Sequence, residues 1–247
     1  MKAVILAGGS GSRLSPLTQL TNKHLLHVYD KPMIYYPIQA LVNAGLREVL
    51  LVTGGKRHRD FSELLGNGQQ LGLTSLSYVR QESDAGVPDA LSLAEPFAKG
   101  GPICVILGDN LWEANISAVV QKFESQDCGA KVFLKDVPDG HRFGIAELQD
   151  GRVIHIEEKP RHPKTCHAVV GIYLYDSTVF DRIRRLKPSD SGESQITDVN
   201  NSYAEENALS HEFLDGWWVD AGTFDSLLLA NVLAARAGAK APLKNGD

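Results

Sequence analysis

Residues 2–14, KAVILAGGSGSRL, join a short apolar run directly to a glycine-rich loop. The run is rich in β-branched side chains, as in a strand that is covered on both faces. In the loop, glycines let backbone N–H groups turn towards an anion, and the Arg13 guanidinium suits phosphate oxygens. The stretch therefore predicts a buried strand with a phosphate-binding loop at its carboxyl end.

Two familiar nucleotide-binding motifs do not account for this loop. No Gly-Lys-Ser/Thr follows the spaced glycines, so the loop is not a P-loop, and it matches the dinucleotide fingerprint poorly. No acidic residue ends the next predicted strand to bind a ribose. For the loop taken alone, a tight turn that binds nothing is the alternative.

The pattern of the first strand recurs in the first half of the chain. Apolar runs at 49–53 and 103–107 alternate with helix-like segments at 32–44, 60–65 and 115–124. This alternation predicts a doubly wound, Rossmann-like α/β fold with a mostly parallel central sheet and helices on both faces.

The second half of the chain has a different pattern. Strand candidates separated by short polar turns lie at 130–135, 144–148, 152–157 and 168–175. They predict a smaller antiparallel portion that receives a second substrate. We expect one domain over residues 1–240, in which residues 1–112 bind a nucleotide and residues 113–240 form the second half, followed by a frayed tail at 241–247.

The composition is that of an ordinary globular enzyme. The 247 residues are 43% hydrophobic and 22% charged, with a net charge of −5. Without a basic excess, the chain is not expected to bind nucleic acid. No apolar run reaches the roughly 18 residues of a membrane span, so no membrane partner is expected. Cys104, Cys128 and Cys166 form neither a zinc pattern nor a disulfide framework, which indicates a cytoplasmic protein.

Beyond the loop, the chain carries further motifs. In order they are NKHLL at 22–26, DKPMIYYPI at 30–38, GDN at 108–110, EEKP at 157–160, ITDVN at 196–200 and WVDAGT at 218–223. With these motifs the chain resembles the sugar-1-phosphate nucleotidylyltransferases, most closely the short-form glucose-1-phosphate thymidylyltransferases, from Met1 to about Ala235. The resemblance implies that one α/β domain joins a nucleoside triphosphate to a sugar-1-phosphate and releases pyrophosphate.

The resemblance also implies catalytic and metal-binding roles. Arg13 would hold the β- and γ-phosphates, Lys23 the α-phosphate, and Lys159 the phosphate of the sugar. Asp109, which follows the strand at 103–107, and Asp220 would bind Mg²⁺, a cation that takes carboxylate and phosphate oxygens. The alternative is that both aspartates only cap local turns.

Two sets of binding residues follow from the same resemblance. The nucleotide-binding set comprises Leu6, Gly8, Gly9, Ser10, Gly11, Ser12, Gln81 and Gly86. The sugar-phosphate-binding set comprises Asn110, Gly144, Glu158, Lys159, Val170 and Tyr173. The Gln81 amide could donate to a pyrimidine edge and accept from the N3–H that uracil and thymine have and cytosine lacks. This favours dTTP or UTP without separating them, since one methyl group is worth about 1–3 kcal/mol.

The chain departs from the family pattern near the expected substrates. Pro88-Asp89 replaces a usual Ala-Gln, Val170 a usual Thr, and Gln195 a usual Glu. Pro88 and Asp89 suit the start of a helix. Together, however, the departures support the hypothesis that the true acceptor is a sugar phosphate other than glucose-1-phosphate.

Two alternative functions stay open from the sequence. A cytidylyltransferase acting on another phosphate or phosphonate would keep the fold and mechanism. A non-catalytic, nucleotide-sensing subunit would be expected to lose Arg13, Lys23, Asp109 or Asp220, and all four are present. The resemblance to short family members predicts weak or absent feedback inhibition at a separate site. Homo-oligomers are common in the family, but no residue of this sequence specifies one.

Overall fold

The structure, a computed structural model, describes residues 1–55, 58–82, 85–126, 128–186 and 194–240. The expected tail at 241–247 lies outside these residues. Among the described helices, none combines the length and the apolar character that crossing a bilayer requires.

Strands and helices alternate through the first half and mix through the second. The strands are β1 (Lys2–Ala7), β2 (His27–Val28), β3 (Lys31–Pro32), β4 (Glu48–Gly54), β5 (Ser75–Gln81), β6 (Ile103–Leu107), β7 (Asn110–Trp112), β8 (Ala130–Asp136), β9 (Gly144–Gln149), β10 (Arg152–Glu158), β11 (His167–Tyr175), β12 (Leu209–Phe213) and β13 (Trp218–Asp220). The helices are α1 (Tyr35–Asn43), α2 (His58–Leu65), α3 (Val87–Ser92), α4 (Glu95–Ala98), α5 (Ser117–Glu124), α6 (Val179–Arg185), α7 (Ile196–Glu205) and α8 (Phe224–Lys240).

The central sheet has the strand order β10-β9-β11-β6-β1-β4-β5. In addition, β8 pairs with β11, and β12 pairs with β8. β6, β1, β4 and β5 are parallel. Of the described strands in this sheet, β10 and β11 run against the rest. β9 and β10 form a hairpin at Asp150-Gly151, where both residues have the positive φ that a tight hairpin turn favours. The predicted mostly parallel α/β fold with a smaller antiparallel portion is confirmed.

The apolar strands are explained by helices on both faces of the sheet. Along β1, the fully buried Ile5 packs in a cluster with residues of α1, α2 and α5, whereas Val4 packs in a second cluster with residues of α3, α6 and α7. A strand covered on both sides must be apolar at every position, which explains the continuous run. Because helices cover both faces of the sheet, a ligand can bind at the edge of the sheet where the parallel strands have their carboxyl ends.

Two features of the fold differ from the sequence-based expectation. The helix predicted at 32–44 begins only at Tyr35, because Lys31–Pro32 pairs with His27–Val28 as a small hairpin. The apolar pattern also fails to predict β5 and α7, since SLSYVRQ and ITDVNNSYAE contain many polar residues.

Met33 is fully buried beneath α8, in a third cluster with Val219 of β13.

Candidate active site

A cavity of about 330 Å³ opens at the carboxyl ends of β1, β5 and β6. This first cavity is lined by Leu6, Gly8, Gly9, Ser10, Lys23, His24, Gln81, Gly86, Val87, Ala90, Leu107 and Asp109. Of the predicted nucleotide-binding residues, Gly11 and Ser12 do not line it. The position is the one at which open parallel sheets usually bind ligands.

Glycines in the first loop have different structural roles. A Cβ on Gly8 would lie 2.9 Å from Gln81 Oε1, so the missing side chain keeps the cavity open. Gly11 has a φ of +64°, and a Cβ there would lie 2.8 Å from Thr18 Cγ2. Gly11 therefore lets the loop pack tightly, and Ser12 begins the 3-10 turn that follows.

Asp109 and Lys23 form an ion pair at the wall of the first cavity. The Lys23 Nζ–Asp109 Oδ2 distance is 2.5 Å, and the two side chains are 15% and 10% exposed. Burial opposes ionisation of Asp109, but the Lys23 ammonium outweighs it and holds the pKa of the carboxyl well below its usual range. Burial likewise opposes the charge on Lys23, yet Asp109 raises the pKa of the amine. Both groups are therefore charged at neutral pH.

Asp220 is brought beside this pair by two short strands. β13 pairs with β7 so that Asp220 lies opposite Asn110, and the Ala221 N–H donates to Asp109 O with an N···O distance of 2.9 Å. Burial, and then the Asp109 charge, raise the pKa of Asp220 to about 6, although Lys23 and Arg13 act in the opposite direction. The two carboxylates are thus close enough to repel each other.

Arg13 lies beside Asp220 and does not line the first cavity. A Cβ on Gly222 would lie 2.7 Å from Asp220 Oδ1 and 2.9 Å from Arg13 Nη2. The bare Cα of Gly222 therefore leaves room for both side chains. The Gly222 N–H also donates to Asp220 Oδ1 at 2.9 Å and fixes the carboxylate.

The carboxylates of Asp109 and Asp220 fit a divalent metal ion. Burial, and then the Asp109 charge, raise the pKa of Asp220 more than Lys23 and Arg13 lower it, so a further cation would stabilise the ionised carboxylate. Mg²⁺ takes carboxylate oxygens and completes its octahedral shell with phosphate oxygens and waters. Two acidic side chains beside a predicted phosphate-binding loop are a suitable donor set for that ion.

A second cavity, of about 190 Å³, adjoins the first. Val87 and Leu107 line both, and Asp109 lines the first while Asp220 lines the second. The second cavity is further lined by Asn110, Arg142, Phe143, Gly144, Glu158, Lys159, Val169, Gly171, Tyr173, Ile196, Thr197, Asn200 and Trp218. Two ligands bound side by side would therefore meet at the two aspartates.

Glu158 is held in the wall of the second cavity by two partners. Thr197 Oγ1 donates to Glu158 Oε2 at 2.6 Å, and Lys159 Nζ lies 3.0 Å from Glu158 Oε1. A Cβ on Gly144 would lie 3.3 Å from Glu158 Oε2, so the glycine keeps this wall open. The Lys159 side chain is 64% exposed and lies at the mouth of the cavity.

Asn110 and Tyr173 are buried groups of the second cavity. Asn110 Nδ2 donates to Asp109 Oδ1 at 3.1 Å, while Asn110 Oδ1 accepts from Gly171 N–H at 3.0 Å and from Trp218 Nε1–H at 2.8 Å. Asn110 therefore orients Asp109. Burial, and then the Glu158 charge, raise the pKa of the Tyr173 phenol, which stays protonated.

The structure corrects the placement of Val170. Side chains alternate along β11, so Val169, Gly171 and Tyr173 line the second cavity, whereas Val170 is fully buried in the core on the opposite face. Val170 therefore does not line the second cavity.

The other residues that depart from the family pattern do not line the second cavity, although they are next to residues that do: Ile196 follows Gln195, and Val87 lies two residues before Asp89. Gln195 is the residue before α7, and Asp89 is in the first turn of α3 near the first cavity. None of the departing residues therefore contributes directly to the lining of the second cavity, and the choice of sugar phosphate stays a prediction.

Gln81 ends β5 and faces the first cavity with a constrained amide. Its Nε2 donates to Asp89 Oδ2 at 2.9 Å and to Gly86 O at 3.2 Å. Gly86 is itself fixed, because its φ is +100° and a Cβ there would collide with Ser194 O. The amide nitrogen is thus used within the protein, which corrects the expectation that Gln81 also donates to a base.

His24 is a cavity residue that the sequence argument misses. It is 1% exposed, and both its backbone N–H and its Nδ1 bond to Asn22 Oδ1, at 2.9 and 2.8 Å. Burial, and then the Lys23 charge, lower the pKa of His24 to about 3, so the ring is neutral. Its position directly after Lys23 is the signal that could have identified it.

Comparisons with known proteins show the family to which the chain belongs. A family model described as nucleotidyl transferase matches residues 2–236. A glucose-1-phosphate thymidylyltransferase of Neisseria meningitidis serogroup A is 42% identical over 231 residues, which are 92% of this chain and 80% of that protein. One from an Actinoplanes species is 42% identical over 234 residues, 93% of this chain and 77% of that protein.

Solved structures show the same architecture. A Bacillus anthracis protein assigned as a glucose-1-phosphate thymidylyltransferase, in complex with sucrose, matches with a TM-score of 0.91 and 47% identity over 95% of each chain. A UDP-glucose pyrophosphorylase in complex with UDP-glucose matches with a TM-score of 0.82 and 23% identity, over 96% of this chain and 98% of that chain. The second likeness is evidence for the fold alone.

Proposed function

Since this chain belongs to the nucleotidyl transferase family and is an enzyme of sugar-1-phosphate nucleotidyl transfer, we propose that its nucleotide is dTTP or UTP and its acceptor glucose-1-phosphate or a close relative. The products would be a nucleoside diphosphate sugar and pyrophosphate. The observation that carries this proposal is the meeting of two cavities at Asp109 and Asp220, with Lys23 at the same point.

The reaction exchanges one phosphate–oxygen bond for another. A phosphate oxygen of the sugar-1-phosphate bonds to the α-phosphorus, and the bond from that phosphorus to the bridging oxygen of pyrophosphate breaks. Such a transfer depends mainly on orienting two anions and on neutralising the charge that grows on the leaving group. Two adjoining cavities, with Lys23 and Arg13 near the aspartates between them, support this assignment.

The residues divide this work by position. The base would lie at Gln81 and the triphosphate along residues 8–10, where Lys23 can donate to the α-phosphate. Arg13, beside Asp220, would contact the leaving pyrophosphate. Asp109 and Asp220 would hold Mg²⁺, which supplies positive charge to the phosphate oxygens when bound.

The acceptor would occupy the second cavity. Lys159 at its mouth would hold the sugar phosphate, and Glu158 would accept hydrogen bonds from sugar hydroxyls. Gly144 lets a pyranose ring approach the backbone. Because Val170 and Gln195 do not line this cavity, we place glucose-1-phosphate first among the candidate acceptors.

The test is a matrix of nucleotides against sugar phosphates, with released pyrophosphate as the readout. The nucleotides are dTTP, UTP, CTP and ATP, and the acceptors are glucose-1-phosphate and deoxy-, amino- and uronic sugar-1-phosphates. We expect release to require Mg²⁺ and an acceptor, with dTTP or UTP giving the highest kcat/KM. A preference for CTP would favour the cytidylyltransferase alternative, and release without any acceptor would contradict the proposal.

A further inference from the structure

Asp89 contacts the residue that faces the base, at a position where the family pattern has an amide. It lies in the first turn of α3, and its Oδ2 accepts from Gln81 Nε2 at 2.9 Å. Gln81 is 7% exposed and Asp89 is half-buried, so this hydrogen bond is partly shielded from water. A hydrogen bond to a charged acceptor is stronger than one between neutral groups.

The two acceptors around Gln81 permit one orientation of its amide. A primary amide offers two N–H donors on nitrogen and lone pairs on oxygen. Asp89 Oδ2 and Gly86 O can only accept, so Nε2 must face both of them. Turning the amide over would place Oε1 against a carboxylate and a carbonyl. Gln81 Oε1 is therefore left on the side of Gly8, where a Cβ would lie 2.9 Å away.

We propose that Asp89 is a positioning residue that fixes the Gln81 amide with its oxygen towards the base, so that the first cavity selects bases with an N–H at that edge. This inference rests on the proposed function and deepens it. Thymine and uracil present such an N–H at N3. Cytosine presents a lone pair there, which would face the lone pairs of Oε1.

A carboxylate at position 89 restricts the orientation of the Gln81 amide more than the amide that the family pattern has there. A glutamine side chain can donate or accept, so it could pair with either orientation of Gln81. The carboxylate can only accept and pairs with one orientation. The departure from the family pattern is thus interpreted as a change in base discrimination and not in the choice of sugar.

A purely structural role for Asp89 makes a different prediction. Asp89 also suits the positive end of α3, and its carbonyl accepts from Ser92 Oγ at 2.7 Å. If Asp89 only stabilised this turn, replacing it would weaken the reaction with every nucleotide by the same factor. The ratio between two bases separates these roles.

The experiment compares dUTP and dCTP, which have the same sugar and no methyl group, in wild type and Asp89→Asn. Both kcat/KM with glucose-1-phosphate and equilibrium binding of each nucleotide are measured. We expect the dUTP:dCTP ratio to fall at least about tenfold in the variant, largely because dCTP binding improves once Gln81 can turn. The matched control, Asp181→Asn, removes an exposed carboxylate of α6 and should leave the ratio unchanged.

A double-mutant cycle tests whether Asp89 acts through Gln81. In a Gln81→Ala background, adding Asp89→Asn should not change the ratio further. If Asp89→Asn does not fold, Asp89→Gln, which restores the family residue, carries the same expectation.

The outcomes separate this inference from the proposed function. An unchanged ratio in a folded Asp89 variant overturns the inference alone, as does a further change in the Gln81→Ala background. A wild type that prefers dCTP overturns both. Absence of turnover with every acceptor, combined with preferential binding of dUTP that Asp89→Asn reduces, overturns the proposed acceptor and supports the inference.

Discussion

Asp109 and Asp220 have opposite effects on the stability of the fold, because their surroundings differ. Asp109 is stabilised as an anion by Lys23, and its pKa lies below the usual range. Asp220 has a raised pKa of about 6, because it is buried next to Asp109. At neutral pH, ionised Asp109 therefore stabilises the fold and ionised Asp220 destabilises it. A cost in stability at a functional position is common in active sites.

The variants Asp109→Asn and Asp220→Asn should both inactivate the enzyme while changing stability in opposite directions. We expect each to lower kcat at least about 100-fold, because the pair would no longer hold Mg²⁺. Without metal at pH 7.5, Asp220→Asn should raise the free energy of unfolding by about 1–3 kcal/mol, since it removes a repelled charge. Asp109→Asn should lower it, since Lys23 loses its partner. Pyrophosphate release and urea unfolding measure these effects, and equal shifts in stability would contradict the assignment.

Gly222→Ala should reduce activity while leaving stability nearly unchanged. The added Cβ would meet the ends of two flexible side chains, Asp220 and Arg13, and no backbone atom within 3.5 Å. Both side chains can move at little cost to the fold, but their position for metal and pyrophosphate would be lost. We expect kcat/KM to fall at least about tenfold and the required Mg²⁺ concentration to rise. Gly238→Ala, in α8, is the control and should keep the wild-type kcat/KM and Mg²⁺ requirement. Unchanged activity in Gly222→Ala would contradict this geometry.

At the scale of strands and helices, side-chain alternation decides which residues reach the substrate. Along β11, odd-numbered residues from Val169 to Tyr173 face the second cavity, and the even-numbered Val170 and Ile172 face the core. Sequence motifs identify the strand but not its orientation in the sheet. A shift by one position exchanges the two sets, which is why Val170 is misplaced by the sequence argument.

Replacing Val169 and Val170 by threonine, one at a time, should show which face of β11 lines the second cavity. Val170→Thr places a hydroxyl in the core, so we expect the free energy of unfolding to fall by about 1–3 kcal/mol without a change in KM for the sugar phosphate. Val169→Thr places the hydroxyl in the second cavity, so KM should change while stability does not. Urea unfolding and steady-state kinetics test the pair. A changed KM in Val170→Thr would restore that residue to the sugar site.

How much of the fold the sequence reveals depends on burial. The apolar runs at 2–7 and 103–107 predict β1 and β6 with their observed ends, because strands covered on both faces are apolar throughout. β5 mixes polar and apolar residues without a regular alternation, and α7 contributes Thr197 and Asn200 to the second cavity. Both elements also pack against the core, but their polar residues interrupt the apolar pattern, so hydrophobic periodicity does not identify them.

At the scale of the whole molecule, the site is assembled from distant segments by the sheet and by the β7–β13 pairing. Motifs along the chain identify Lys23, Asp109 and Asp220 as candidates, and resemblance gives them roles. The contact between Gln81 and Asp89, and the burial of His24, follow only from the three-dimensional arrangement. No sequence motif indicates what the side chains of Gln81, Asp89 and His24 contact.

The buried His24 makes the stability of the molecule depend on pH in a defined direction. Its pKa is lowered to about 3 in the folded protein, from 6.5 in an unfolded chain. Between these values the unfolded state binds a proton that the folded state does not, so stability falls as the pH falls below 6.5. The contribution is about 1.4 kcal/mol per pH unit, reaching its full size near pH 3. His24→Gln lacks the titrating ring and should lose less stability on acidification.

The measurement is urea unfolding of wild type and His24→Gln at pH 7.5 and pH 5.0, without metal or nucleotide. We expect the difference in unfolding free energy between the two proteins to shift by about 2 kcal/mol in favour of the variant at the lower pH. The control variant is His162→Gln, because His162 lies in an exposed segment. Its difference in unfolding free energy from wild type should be the same at both pH values. A His24→Gln difference that is also independent of pH would mean that the ring can be protonated in place, with Asp109 as the charge that compensates it.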